Sequence, residues 1–111
     1  MKNITAKQWL NRARVIAADI DKALQKGPGD DVEAARLKVE QMFTNWCLVK
    51  AEIATAVYRL SDRRERIVLL DYYCSRMTVK ETADDLGMTW RQTHRILKDA
   101  IKHLGEALGL E

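Results

Sequence analysis

Apolar residues recur along this chain at steps of three and four, the spacing that puts them on one face of a helix, and no strand is expected. The first helix is predicted over residues 6–26. Thr5 and Gln8 have the spacing of a capping box, and Ile4 stands where it can staple onto Trp9. Gly27-Pro28-Gly29 stops this helix, because glycine accepts the left-handed cap and proline cannot continue the ladder. A second helix opens at Asp30 or Asp31, with Glu33 near the positive end of its dipole, and nothing breaks it before Leu60. That is about 29 residues, or roughly 43 Å of helix.

The apolar positions of this long helix, Ala35, Val39, Met42, Trp46, Val49, Ile53, Ala56 and Leu60, alternate steps of four and three, which makes a heptad seam. Folding it back across the Gly-Pro-Gly turn pairs Leu24 with Ala35, Ile20 with Val39, Ile16 with Met42, Ala13 with Trp46, and Trp9 with Val49. Large then meets small at both tryptophans, Trp46 against Ala13 and Trp9 against Val49, which favours an intramolecular antiparallel hairpin. A second stripe, Phe43, Cys47, Ala54 and Val57, needs a partner of its own. Two partners fit it: the C-terminal helices, or a second protomer in a homodimer through the N-terminal helices.

Near Ser61-Asp62 the long helix is interrupted, and Asp62 with Glu65 announces a third. Ile67, Val68, Leu70 and Tyr73/Cys74 recur at helical spacing, so Tyr72 and Tyr73 are expected as core and inter-helix residues, not as base-stacking platforms. The stretch TVKETADDLGMTWRQTHRILK, Thr78–Lys98, carries two further capping boxes, Thr78 with Glu81 and Thr89 with Gln92. Between them Gly87 suits a left-handed turn, and Ala83 gives two crossing helices the small side chain they need. This is helix-turn-helix spacing, and it points to DNA. The helices are expected over Val79–Leu86 and from Trp90 to about Leu108. Thr93, Ile96, Leu97, Ala100, Ile101, Leu104 and Leu108 form the inward stripe of the last one, and Trp90, Arg91, His94, Arg95, Lys98 and Lys102 its opposite face. The expected class is all-α: a coiled-coil-like antiparallel hairpin over residues 1–60, then a three-helix helix-turn-helix domain over 61–111.

Composition narrows the partners. The chain has 111 residues, 47% of them apolar, enough for a modest helical core. Its formal charge is only +3, yet in Trp90–His103 four cations face the single anion Asp99. Basicity placed on one helix argues against a generic polyanion coat or a membrane-surface helix. Cys47 and Cys74 lie in apolar-periodic segments and are expected as reduced, buried thiols of a cytosolic protein, with no disulfide. MKNITAKQW does not resemble a signal peptide, and no segment approaches the roughly 18 apolar residues of a spanning helix, so a cytoplasmic protein without membrane association is expected. His94 and His103 have no metal-ligand spacing with cysteines or carboxylates, and Asp84-Asp85 reads as a solvated helix face. No metal, cofactor or enzymatic activity is expected.

From Leu60 onward the sequence resembles region four of bacterial RNA polymerase sigma factors. Arg64–Leu69 (RERIVL), the Thr78 start, Ala83 with Leu86-Gly87, the Thr89 cap and the Ala100/Leu104 pair stand where that family has them, over about half the chain. With the N-terminal hairpin and the small size, the chain is similar to the sigma-like regulators of phages and prophages grouped with ArpU- and RinA-type late-gene activators. It departs from the pattern at Arg76, where glycine is usual, and at Thr93, where an inward valine is usual. A separate promoter-melting domain has no room in it, so a complete sigma factor is not expected.

The resemblance implies a sequence-specific transcriptional regulator of double-stranded DNA, with RNA polymerase as a further implied partner. The last helix would lie in the major groove and the preceding one would cross the backbone. Arg91 and Arg95, one turn apart, are the expected guanine readers, with Gln92 and His94 secondary. Trp90 has two readings, a contact to a thymine methyl or sugar and a cover for the core's exposed end. Lys80, Lys98 and Lys102, with the cap residues Thr78 and Thr89, are the expected phosphate contacts. Two other readings stay open: a module that engages RNA polymerase or another regulator without reading DNA, and a phage DNA-packaging accessory protein.

Overall fold

Each of the five α-helices begins on a threonine or aspartate whose side chain accepts a backbone amide of the first turn. A computed structural model describes residues 4–110, with no strand among them. The elements are α1 (Ala6–Lys26), α2 (Val32–Val57), α3 (Arg63–Leu69), a π-helical turn (Leu70–Cys74), α4 (Val79–Leu86) and α5 (Trp90–Leu108). The caps of α1, α4 and α5 are reciprocal boxes, Thr5 with Gln8, Thr78 with Glu81 and Thr89 with Gln92, as the sequence predicts. The fourth expected box is one-sided. Asp62 caps Arg64 N at 2.8 Å, but Glu65 does not reach back, because its side chain turns inward and meets His103 Nδ1 at 2.9 Å.

The long helix is shorter than expected, ending at Val57 instead of Leu60. The chain tightens here: the amides of Arg59 and Leu60 donate to the carbonyls of Ala56 and Val57, both at 3.0 Å. Arg66, from α3, donates to the Leu60 and Ser61 carbonyls at 2.8 and 3.1 Å, and so satisfies acceptors that a continuous helix would have used itself. The third helix also widens before it ends, with Ser75 N donating to Leu70 O at 2.9 Å across a π-turn. Arg76 follows with φ of 59°, the left-handed conformation that glycine takes most easily. That costs a non-glycine residue about 1–2 kcal/mol. Arg76 Nη2 meets Asp21 Oδ2 of α1 at 2.7 Å, a contact that opposes this strain.

All eight heptad positions of the seam, from Ala35 to Leu60, are buried or half-buried. Two expectations need correction. Leu24 is 58% exposed and does not close a layer on Ala35; the half-buried α1 residue at that level is Ala23, too small to fill the space. Cys47 is exposed, while Cys74 is half-buried, and both thiols are free. The second stripe divides likewise: Val57 is buried and Ala54 half-buried, but Phe43 and Cys47 stay open.

One core joins the two halves of the chain. Leu10 and Ala13 of α1, Ile53 and Val57 of α2, Val68 and Leu69 of α3, Tyr73, and Leu97, Ala100 and Leu104 of α5 form a single buried cluster. Each fully buried leucine or isoleucine in it contributes about 1.5–3 kcal/mol. Arg14 ties α1 to the turn before α4. Its Nη1 donates to Tyr72 O at 2.6 Å and Met77 O at 3.4 Å, and its guanidinium lies 4.3 Å from the Tyr72 ring centroid. Tyr73 is buried against Tyr72 edge to face, with centroids 4.9 Å apart, so both tyrosines are spent on packing.

Candidate nucleic-acid interface

A repeated pentapeptide pattern positions the candidate site. Thr78-Val-Lys-Glu-Thr82 opens α4 and Thr89-Trp-Arg-Gln-Thr93 opens α5. In each, the first threonine caps the helix, and the second, fully buried, donates its hydroxyl to the first one's carbonyl: Thr82 to Thr78 at 3.0 Å and Thr93 to Thr89 at 2.9 Å. The α4 start is therefore fixed by three local hydrogen bonds and the α5 start by four. Neither buried threonine hydroxyl is left unsatisfied. Between the two, Gly87 (φ 65°) closes α4, with Gly87 N donating to Asp84 O at 3.3 Å and Met88 N to Ala83 O at 2.9 Å. Ala83, on α4, is 3% exposed, and α4 packs against α5.

This anchoring turns one face of α5 outward. All seven residues of its expected inward stripe are buried or half-buried, and Trp90, Arg91, His94, Arg95, Lys98 and Lys102 are all exposed. From Arg91 to Lys102 the row runs about 16 Å along the axis. Most arginines elsewhere are committed. Arg12 pairs with Glu52, Arg36 with Glu33 and Glu40, and Arg76 with Asp21, while Arg14, Arg59 and Arg66 donate to carbonyls. None of the ion pairs among the described residues involves Arg91, Arg95, Lys98, Lys102 or Lys80 of α4. Desolvating these cations against a polyanion therefore breaks no internal contact.

The expected site residues are not equally available. Trp90 is 56% exposed and packs edge to face on His94, centroids 4.8 Å apart, so much of its ring stays open at the tip of α5. Gln92 is engaged, its Oε1 accepting from Thr89 N at 3.1 Å and standing 3.2 Å from Thr89 Oγ1. The Thr78 and Thr89 hydroxyls accept Glu81 N and Gln92 N, each at 3.1 Å. These three residues position the helices, and Arg91, Arg95, Lys98, Lys102 and Lys80 remain as free groups. Arg63 and Arg64, absent from the expected set, are also exposed and outside the ion pairs of the described residues. Two arginines in the first turn of α3 stand against its dipole, an unfavourable placement legible in the sequence.

Behind the face lie two titratable contacts. The Glu65 carboxylate, 8% exposed on α3, holds His103 of α5 and raises the imidazole's pKa from its ordinary value by hydrogen bonding and charge. A raised histidine contributes stability below its unfolded pKa and loses it as pH climbs through the folded one. Asp71, in the π-turn, is pushed up to about 6, first by burial and then by the neighbouring Asp85 of α4. Its Oδ2 is buried with no hydrogen-bond partner. Asp85, expected as a merely solvated carboxylate, is exposed but stands against this second acid. Burial likewise raises the Cys74 thiol, which keeps it protonated and unreactive.

Among the described residues no three His, Cys, Asp or Glu side chains gather as metal ligands would. No helix among the described residues is long and apolar enough to cross a membrane. Compared with protein-family models, curated proteins and solved structures, the chain matches none.

Proposed function

We propose that this chain is a sequence-specific DNA-binding transcriptional regulator of the sigma region-four type, cytoplasmic and encoded by a phage or prophage. In this reading residues 1–60 are an antiparallel helical hairpin and 61–111 a helix-turn-helix domain. The α5 face enters the major groove and α4 crosses the phosphate backbone. Arg91 and Arg95 read guanines through bidentate contacts, and His94 and Trp90 meet the neighbouring base edges or sugars. Lys80, Lys98 and Lys102 hold phosphates. RNA polymerase is the partner it would recruit. The observation that carries this reading is the row of exposed α5 cations that make no ion pair, in a chain whose other arginines are largely bound to its own acceptors.

The test is selection of a preferred site from random duplex DNA, followed by binding titrations. The double variant Arg91→Ala/Arg95→Ala should keep its helical circular dichroism and lose preference for that site, at about 1–3 kcal/mol per lost bidentate contact. Unchanged preference would remove α5 from the reading role.

A further inference from the structure

The turn end of α1 and α2 carries a surface that the fold leaves unfinished. Ala23 and Ala35 are the half-buried residues at this level, and their small side chains leave a groove of about 400 Å³ lined by Ala23, Leu24, Pro28, Val32, Val39 and Phe43. Leu24, Val32 and Phe43 are exposed at 58%, 63% and 41%. The groove continues the stripe on α2 whose other end, at Ala54 and Val57, lies under cover. Apolar surface concentrated in this way marks an interaction site, not scattered surface residues.

Charge selects the occupant. Within the groove's rim Arg36 is neutralised by Glu33 and Glu40, and around the turn Lys26 and Lys38 alternate with Asp31. A nucleic acid finds no free cationic row there, in contrast to α5. A small polar ligand finds no converging donors or acceptors in so open and apolar a channel. An isologous interface requires a surface complementary to itself, and an apolar strip edged by both signs of charge meets that requirement. We infer that a second copy of this chain docks here, groove against groove, so that two α1/α2 pairs complete a four-helix bundle. Phe43 and Leu24 of each copy would fill the space left by Ala23 and Ala35 in the other, restoring the size alternation that helix bundles need. This pairing is independent of what α5 binds.

Sedimentation of the full chain without DNA, over a concentration series, tests the inference. The mass should rise from 12.8 kDa toward twice that value. Phe43→Glu and, separately, Leu24→Glu should hold it at the single-chain mass with unchanged helical circular dichroism. Leu48→Glu should dimerise like the parent, because five residues beyond Phe43 a helix presents a different face. Arg91→Ala/Arg95→Ala should also dimerise, which separates this result from the fate of the DNA reading. A parent that stays monomeric throughout, a dimer that survives both groove substitutions, or one broken equally by Leu48→Glu overturns the inference.

Discussion

Two helix pairs in this chain turn on glycine, and they leave opposite kinds of surface behind. At Gly87, α4 and α5 close tightly: Ala83 is buried, both threonine boxes are complete, and the buried hydroxyls of Thr82 and Thr93 have acceptors. Local demands are met there, so what remains outside is charge. At Gly27, α1 and α2 meet through the small Ala23 and Ala35, so packing is incomplete and apolar side chains remain outside. Uncompensated charge attracts a polyanion, and its strength falls with salt; uncompensated apolar surface attracts another protein, and its strength does not. The same chain thus carries two kinds of unmet demand about which partners can be argued separately.

The most severe way to break the contrast is to remove what both regions share. Leu104→Ala empties a fully buried site in the common core and should cost about 2–5 kcal/mol. Denaturant unfolding followed by tryptophan fluorescence, which reports Trp9, Trp46 and Trp90 together, and by circular dichroism should then shift as one transition. Two separate transitions would mean that the halves fold independently, against the shared cluster of α1, α2, α3 and α5 side chains.

A smaller effect sharpens the charged side of the comparison. Lys98→Ala/Lys102→Ala should weaken binding to all duplexes about equally and flatten the dependence of affinity on salt by about one phosphate per lysine, leaving site preference intact. Titrations at several salt concentrations measure that slope. Loss of preference without loss of slope would reverse the roles assigned to the lysines and to Arg91 and Arg95.

How legible these regions were in the sequence follows from how local their causes are. Capping boxes are decided within four residues, and three of the four expected boxes are present. The fourth failed because Glu65 has a distant competitor, His103, 38 positions away, which no local spacing reveals. The heptad seam was readable because burial repeats at every turn; the end of α2 was not, since it depends on Arg66 taking carbonyls from another element. The period points Leu24 inward, but the actual register puts Ala23 there, one residue away and just over a quarter of a turn around the helix. On α5 the exposed face is legible from the helical spacing of its apolar residues. That Gln92 and Thr89 spend their side chains on each other, and not on bases or phosphates, follows from the same capping signal that locates them.

The smallest predicted effect tests the claim that the α4–α5 end has its polar groups satisfied, for Asp71 is the exception beside it. Its carboxyl titrates near 6 in the folded chain against 3.8 for the free side chain, because burial and Asp85 both oppose the charge. A folded-state pKa raised in this way means that the native form holds a proton the unfolded form has released, so stability falls as pH rises between those two values and stays lowered above them. Asp71→Asn keeps the shape and removes the charge. At pH 7 it should raise stability by about 1 kcal/mol after allowance for solvent screening of a half-buried group, a few degrees in Tm. Near pH 4, where Asp71 is protonated in the native chain, parent and variant should melt together. If the variant is instead less stable at pH 7, the ionised carboxylate makes a favourable contact that outweighs its burial, and the α4 end holds no stored repulsion.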